Sequence, residues 1–199
     1  EHYHSIRGAI QEAYHVFIQN GLSLFPKREV NILEIGLGTG LNAFITFLEH
    51  NHLGQIIHYE GIEAYPMTLE EVAQLNYTSQ LGVTDQEPTF QLIHQSPWEE
   101  TIKISESFSL KKRKAFFEDI TDIERFDLIY FDAFGARVQP ELWTSFIFDK
   151  MYKSLRKNGI LVTYASKGSA RRAMLEVGFS VEKLPGAMGK REMLRALKE

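Results

Sequence analysis

The stretch that most restricts this chain is Glu34-Ile35-Gly36-Leu37-Gly38-Thr39-Gly40, a glycine-rich turn between an apolar run and a helical pattern. Glycine lets a backbone turn sharply and approach a ligand closely. The apolar run 30–35 predicts a strand. The segment 40–51 predicts a helix with Leu41, Phe44, Ile45 and Leu48 on one face. A strand passing through such a turn into a helix belongs in a layered α/β fold. The dinucleotide fingerprint needs one more glycine at position 41, where this chain has Leu41, so a pyrophosphate cradle of that kind is excluded.

The rest of the chain continues the alternation. Apolar residues at 6, 9, 10, 13, 16 and 17 predict a helix over 5–21, with Gly21 as its stop. A strand is expected at 56–63 and a helix at 68–75. Strands at 101–105 and 108–118 read as an inserted hairpin, the second ending at Glu118-Asp119. The run 126–132 is apolar enough for burial on both faces. Pro140 suits the first turn of a helix reaching about 155. A strand at 159–165, a helix at 169–177 and a pair at 181–184 and 192–197 complete the pattern. No repeat, low-complexity tract or linker interrupts it, so 1–199 reads as a single domain. The expected architecture is a mostly parallel sheet with helices on both faces.

Composition narrows the chemistry. The chain has 199 residues, 44% of them hydrophobic, enough to bury a core without staples. Zero cysteines exclude disulfides, cysteine-ligated zinc, iron–sulfur centres and any covalent cysteine mechanism. They fit a cytoplasmic setting. No apolar run approaches membrane-spanning length, so no membrane partner is expected. Residues 150–199 hold 12 Lys and Arg against 4 Asp and Glu, a local charge of +8, whereas residues 1–149 hold 10 against 22. The net charge of −4 therefore hides a basic C-terminal quarter able to meet an anionic partner.

In parallel sheets, ligands bind at the carboxyl ends of the strands. Glu63 ends the second strand, where an acid can accept both hydroxyls of a ribose; Glu60 competes for that role but falls inside the strand. Asp119, in Phe117-Glu118-Asp119-Ile120, is placed to accept from an adenine amino group. Asp132 ends the apolar strand Leu128-Ile129-Tyr130-Phe131-Asp132 beside Phe134, a position suited to an amine-binding carboxylate. No Asn-Pro-Pro-Tyr is present, which argues against methylation of an exocyclic base amine. His2, His4 and His15 have no partner at ligand spacing, and no metal is expected. Lys111-Lys112-Arg113-Lys114 reads as a solvated strand edge able to touch phosphates.

The acid-x-Gly-x-Gly-x-Gly spacing resembles motif I of class I (Rossmann-like) S-adenosylmethionine-dependent methyltransferases. A longer resemblance runs through Tyr3-His4-Ser5-x-x-Gly8, Glu12-x-x-His15-Val16-Phe17, Glu34 to Asn42, Gly61-Ile62-Glu63-Ala64-Tyr65-Pro66, Phe131-Asp132-Ala133-Phe134, Pro140-Glu141-Leu142-Trp143-Thr144, Arg171-Arg172 and Gly189-Lys190-Arg191-Glu192-Met193-Leu194. Together these resemble the MnmC methyltransferase domain and its stand-alone form, the MnmD family. The stretch 89–114 matches the long-form members poorly.

That resemblance implies an N-methyltransferase acting on the aminomethyl group of 5-aminomethyl-2-thiouridine at the tRNA wobble position. It implies S-adenosylmethionine held by Glu34, Gly36, Gly38, Thr39, Gly40, Asn42, Glu63, Ala64, Asp119 and Ile120. Asp132 would be catalytic, and Phe134, Arg171, Arg172, Lys190 and Arg191 would bind substrate. The flavin-dependent oxidase domain of bifunctional members finds no room after 199, so no flavin is expected. Two alternatives share these residues: methyl or aminopropyl transfer to a small amine, as in spermidine synthases, and a non-catalytic tRNA-binding module.

Overall fold

The computed structural model describes residues 2–187 and 189–199, with the helical backbone alone for 2–7. The strands are β1 (Glu29–Ile35), β2 (Ile56–Ile62), β3 (Thr101–Ser105), β4 (Phe108–Arg113), β5 (Phe126–Phe131), β6 (Leu155–Thr163), β7 (Ser180–Pro185) and β8 (Glu192–Leu197). They form one sheet in the order β3-β4-β2-β1-β5-β6-β8-β7. The five central strands are parallel, and antiparallel pairs close both sides. The expected mostly parallel sheet is present.

Side-chain alternation along each strand sorts the core into two layers. Val30, Ile32, Tyr59, Leu128 and Tyr130 pack on one face with Phe44 of helix α2 (Leu41–His50) and Phe90 of helix α5 (Glu87–Gln95). Leu33, Ile35, Ile129 and Phe131 pack on the other with Phe148 of helix α6 (Ser145–Ser154) and Met174 of helix α7 (Gly168–Glu176). Every residue of β5 is buried, Asp127 included, whose carboxylate is paired with Arg28 and Arg156. Helices thus cover both faces.

Several elements differ from the sequence expectation. The helix over 5–21 is α1 (His2–Ala13) followed by a π-helical segment, Tyr14–Gln19, and a short 3-10 turn, Leu22–Leu24. The helix expected at 68–75 shrinks to one turn, α3 (Leu69–Val72), held by a capping box between Thr68 and Glu71. The helix expected from Pro140 breaks at Thr144. A 3-10 turn (Pro140–Trp143) ends there, and extended backbone at Thr144 opens α6. The helices α4 (Tyr77–Leu81) and α5 had no sequence counterpart.

The largest correction concerns 101–118. β4 is no insertion: it runs parallel to β2 as the third strand of the sheet, and β3 folds back on it as the edge. The strand stops at Arg113, five residues before the expected end, and Phe117–Asp119 is a 3-10 turn. Lys112 is consequently buried rather than solvated. Its ammonium donates to the His94 carbonyl and lies 4.9 Å from the centre of the Trp98 ring, and burial lowers its pKa to about 8. Arg113 pairs with Glu60 and Asp122.

Candidate active site

At the carboxyl ends of β1, β2 and β5 lies a cavity of ≈ 890 Å³. Its floor is the glycine turn. Gly36 has φ +89°, and a Cβ there would stand 2.9 Å from the Asp132 carbonyl oxygen. Only glycine allows that closeness together with a left-handed backbone. Gly40, at φ +70°, packs instead against the His94 ring and does not line the cavity. Gly36, Gly38, Thr39 and Asn42 do line it.

The tip of β2 supplies Glu63 and Ala64, both on the cavity wall. The Glu63 carboxylate accepts from the Gly38 amide at 3.1 Å and the Tyr65 amide at 3.0 Å. It is thereby aimed across the glycine turn. Glu60 is occupied by Arg113 and Arg125, which removes it from the ribose role.

Strand alternation places Glu34 on the same sheet face as Ile32, wholly buried beneath the cavity. It accepts from Tyr59 Oη at 2.8 Å and from Asn42 Nδ2 at 2.8 Å. Burial pushes its carboxyl well above the usual carboxylate range, with the Asp132 charge adding to that. The same Asn42 amide donates to Asp132 Oδ2 at 2.8 Å. One side chain thus fixes two acids, and Glu34 acts through Asn42 rather than on the cavity itself.

Asp132 follows β5 and faces the cavity. Burial, then the Glu12 charge, push its pKa up to about 7, against the Asn42 hydrogen bond and the Lys190 charge, which lower it. Tyr164, just beyond β6, donates from Oη to the Ala133 carbonyl at 2.8 Å. The Trp143 indole donates to the Phe134 carbonyl at 2.8 Å. Phe134 lines the cavity with its ring 71% exposed.

Other expected site residues lie elsewhere. Asp119 is exposed and Ile120 is buried in the core; neither lines the cavity, whereas Phe116, Phe117 and Glu118 do. Arg171, Arg172, Lys190 and Arg191 stand outside its lining, although Lys190 reaches Glu12 on its wall. The sequence reading left out Glu12, Phe17, Glu118, Phe146 and Tyr164 as site residues, all of which line the cavity. The signal available for Tyr164 was its place just past a buried strand, which is where ligands are met.

His2 and His4 lie outside the residues whose side chains are described. His15 Nε2 is hydrogen-bonded to the Pro185 carbonyl at 2.8 Å. Among the described residues no His, Asp or Glu cluster could hold a metal, and no helix is long and apolar enough to cross a membrane.

A glycine turn, an acid at the tip of β2 and an apolar pocket beside them suit a nucleoside-bearing cofactor. Comparison with known proteins agrees. Residues 95–199 match the family described as S-adenosyl-L-methionine-dependent methyltransferase, and the chain belongs to that family. It is similar to the tRNA 5-methylaminomethyl-2-thiouridine biosynthesis bifunctional protein MnmC of Cupriavidus metallidurans, 30% identical across 96% of this chain and 30% of that protein. The protein of the same name from Pseudomonas entomophila is 27% identical across 98% of this chain and 32% of its own length. The chain therefore spans about a third of these relatives. In fold it resembles MnmC2 from Aquifex aeolicus, with a TM-score of 0.68, 22% identity, and coverage of 95% of this chain and 59% of that one.

Proposed function

We propose that the protein transfers a methyl group from S-adenosylmethionine to the primary amine of 5-aminomethyl-2-thiouridine at the tRNA wobble position. The product would be 5-methylaminomethyl-2-thiouridine. Similarity to the MnmC proteins, which runs nearly the whole length of this chain, supports the substrate. The observation that carries the chemistry is Asp132, held by Asn42 at a strand end in the cavity that Glu63 also lines.

Glu63 would hold the ribose hydroxyls, and Gly36 and Gly38 would let the backbone lie against the cofactor. When bound, S-adenosylmethionine supplies an electrophilic sulfonium methyl that departs from sulfur as the nitrogen takes it. An alkylammonium has a pKa of roughly 10, so it must lose a proton before its lone pair can attack. Asp132, at about 7, accepts that proton at a cost of ~4 kcal/mol, against ~8 kcal/mol for an ordinary aspartate. The proton then passes to water through the cavity, and the methylated nitrogen keeps its other two. No step requires a flavin or a metal. Arg171, Arg172 and Arg191 would meet tRNA phosphates, and a cytoplasmic location follows from that partner.

Incubation with labelled S-adenosylmethionine and tRNA that bears the aminomethyl group, followed by nucleoside analysis, tests the reading. Label in 5-methylaminomethyl-2-thiouridine is expected. Label in free small amines and none in tRNA would overturn it in favour of small-amine transfer.

A further inference from the structure

One ion pair on the cavity wall is left unused by this chemistry. The ammonium of Lys190, in the turn between β7 and β8, pairs with the Glu12 carboxylate at the end of α1. It also sits 4.6 Å from the centre of the Tyr164 ring, on the axis of a cation–π contact. Glu12, Tyr164 and Asp132 all line the cavity. The negative charges of Asp132 and Glu12 both act on the Tyr164 hydroxyl, which burial and these charges push up to about 12. Two carboxylates and an aromatic face therefore share one stretch of the cavity wall, and a primary ammonium from just outside the lining already reaches Glu12 and the Tyr164 ring.

The backbone is arranged to keep Glu12 there. The π-helical turn begins directly after Ala13, and His15 within it bonds the Pro185 carbonyl at the root of the Lys190 turn. Two contacts thus join the N-terminal helical segment to the end of β7 and the turn after it, one to a backbone carbonyl and one ionic. π-turns inside helical segments recur at functional sites.

We propose that Glu12, Asp132 and the Tyr164 ring form the binding site for the substrate's primary ammonium, with the Lys190 ammonium seated there as an internal surrogate that the substrate displaces. The inference rests on the amine-methylation reading and adds to it a residue that selects a cation over a neutral group. Asp132 takes the proton, and Glu12 holds the charge until it is taken. Released Lys190 is then free to face the phosphates of the incoming tRNA.

Benzylammonium, an aromatic ring bearing an aminomethyl group, is a probe independent of tRNA, and benzyl alcohol is its neutral control. Binding is measured by calorimetry to protein saturated with S-adenosylhomocysteine. Lys190→Met is expected to bind benzylammonium at least 10-fold more tightly than the wild type, with benzyl alcohol unchanged. Adding Glu12→Gln to that variant is expected to remove the gain. In the otherwise native chain, Glu12→Gln should raise KM for aminomethyl-bearing tRNA about 10-fold while S-adenosylmethionine affinity stays within two-fold. A Lys190→Met variant that melts earlier and gains no affinity for benzylammonium would reduce the pair to a structural strut and overturn the proposal. So would a Glu12→Gln change that leaves both amine readouts intact. Absence of tRNA methylation alongside the expected benzylammonium pattern would instead sink the tRNA reading and leave the ammonium site standing.

Discussion

On the glycine-turn wall of the cavity, the acids that follow β2 and β5 are held by the glycine turn, the loop after β2 and helix α2. Glu63 is fixed by the Gly38 and Tyr65 amides, and Asp132 by Asn42. On the opposite wall, Glu12 meets Lys190 across 178 positions of sequence, and His15 meets Pro185 across 170. The first wall gathers at the carboxyl ends of parallel strands: the register of β2 and β5 on β1 brings their tips to the glycine turn. The second exists only once a terminal helix has docked on a distant turn, through polar contacts that remain partly solvent-exposed. Such contacts are weak singly. Under the proposed function the lesson is a division of labour, with a firmly held wall for the cofactor and an adjustable wall for whatever receives the methyl group.

Removing the group that serves both walls should have the largest effect. Asp132→Asn is expected to cut turnover by about 10²–10⁴, the usual worth of a positioned acid or base, with cofactor affinity within two-fold. A large loss of cofactor affinity would place Asp132 wholly on the firmly held wall. The same variant has a stability signature. Asp132 has a folded pKa near 7 against an ordinary value of 3.8, so its stabilising proton is fully present below pH 4 and is lost as pH rises through 7. Thermal melts should therefore fall between pH 4 and 7 in the wild type and fall less in Asp132→Asn.

Glu63→Ala tests the firmly held wall alone. Each hydrogen bond to a charged acceptor is worth about 1.5–3 kcal/mol, so S-adenosylmethionine affinity should drop at least 10-fold by calorimetry. Turnover at saturating cofactor should be much less affected. Unchanged affinity would remove Glu63 from the ribose role.

Asn42→Ala probes how the firmly held wall aims its acid. The lost hydrogen bond favoured the Asp132 carboxylate, so its removal raises the Asp132 pKa further. The rising limb of kcat/KM against pH should move to higher pH, with several-fold lower activity at pH 7 recovering towards pH 9. A uniform loss at every pH would mean that Asn42 serves the cofactor instead.

The smallest effect is expected on the adjustable side. Replacing Arg171 and Arg191 with Ala should flatten the dependence of log tRNA affinity on log salt by about 0.7–0.9 per lost phosphate contact. Cofactor binding should be untouched. An unaltered slope would move the phosphate path elsewhere on the basic C-terminal quarter.

The glycine-turn wall was largely legible in the sequence because a glycine turn and acids at the ends of apolar runs mark it. Gly36, Glu63 and Asp132, expected at the turn and at strand ends, all line the cavity. What failed was the exit from β4. Lys112 and Arg113 look like solvated charge in sequence, yet the carbonyl of His94 and the carboxylates of Glu60 and Asp122 satisfy them inside the fold. Such partners come from elsewhere in the chain and leave no local mark. Because the strand ends earlier than expected, Glu118 and not Asp119 stands on the cavity wall. Helix α5 was missed despite Pro88 in its first turn, because only Phe90 and Ile93 are buried along it. Glu12 was visible as a motif residue, but its placement depends on a break in helical periodicity that apolar spacing does not announce.

That break gives the N-terminal segment a phase. An α-helix advances about 100° per residue, so one residue inserted or removed turns everything upstream through more than a quarter circle relative to everything downstream. Val16, Phe17 and Ile18 are anchored in the core and cannot rotate. Deleting a single residue within Tyr14–Gln19 should therefore leave the hydrophobic contacts recoverable while pointing position 12 away from the cavity. The wide turn works as a dial set at one graduation, and under the proposal made above amine selectivity would follow where it stands.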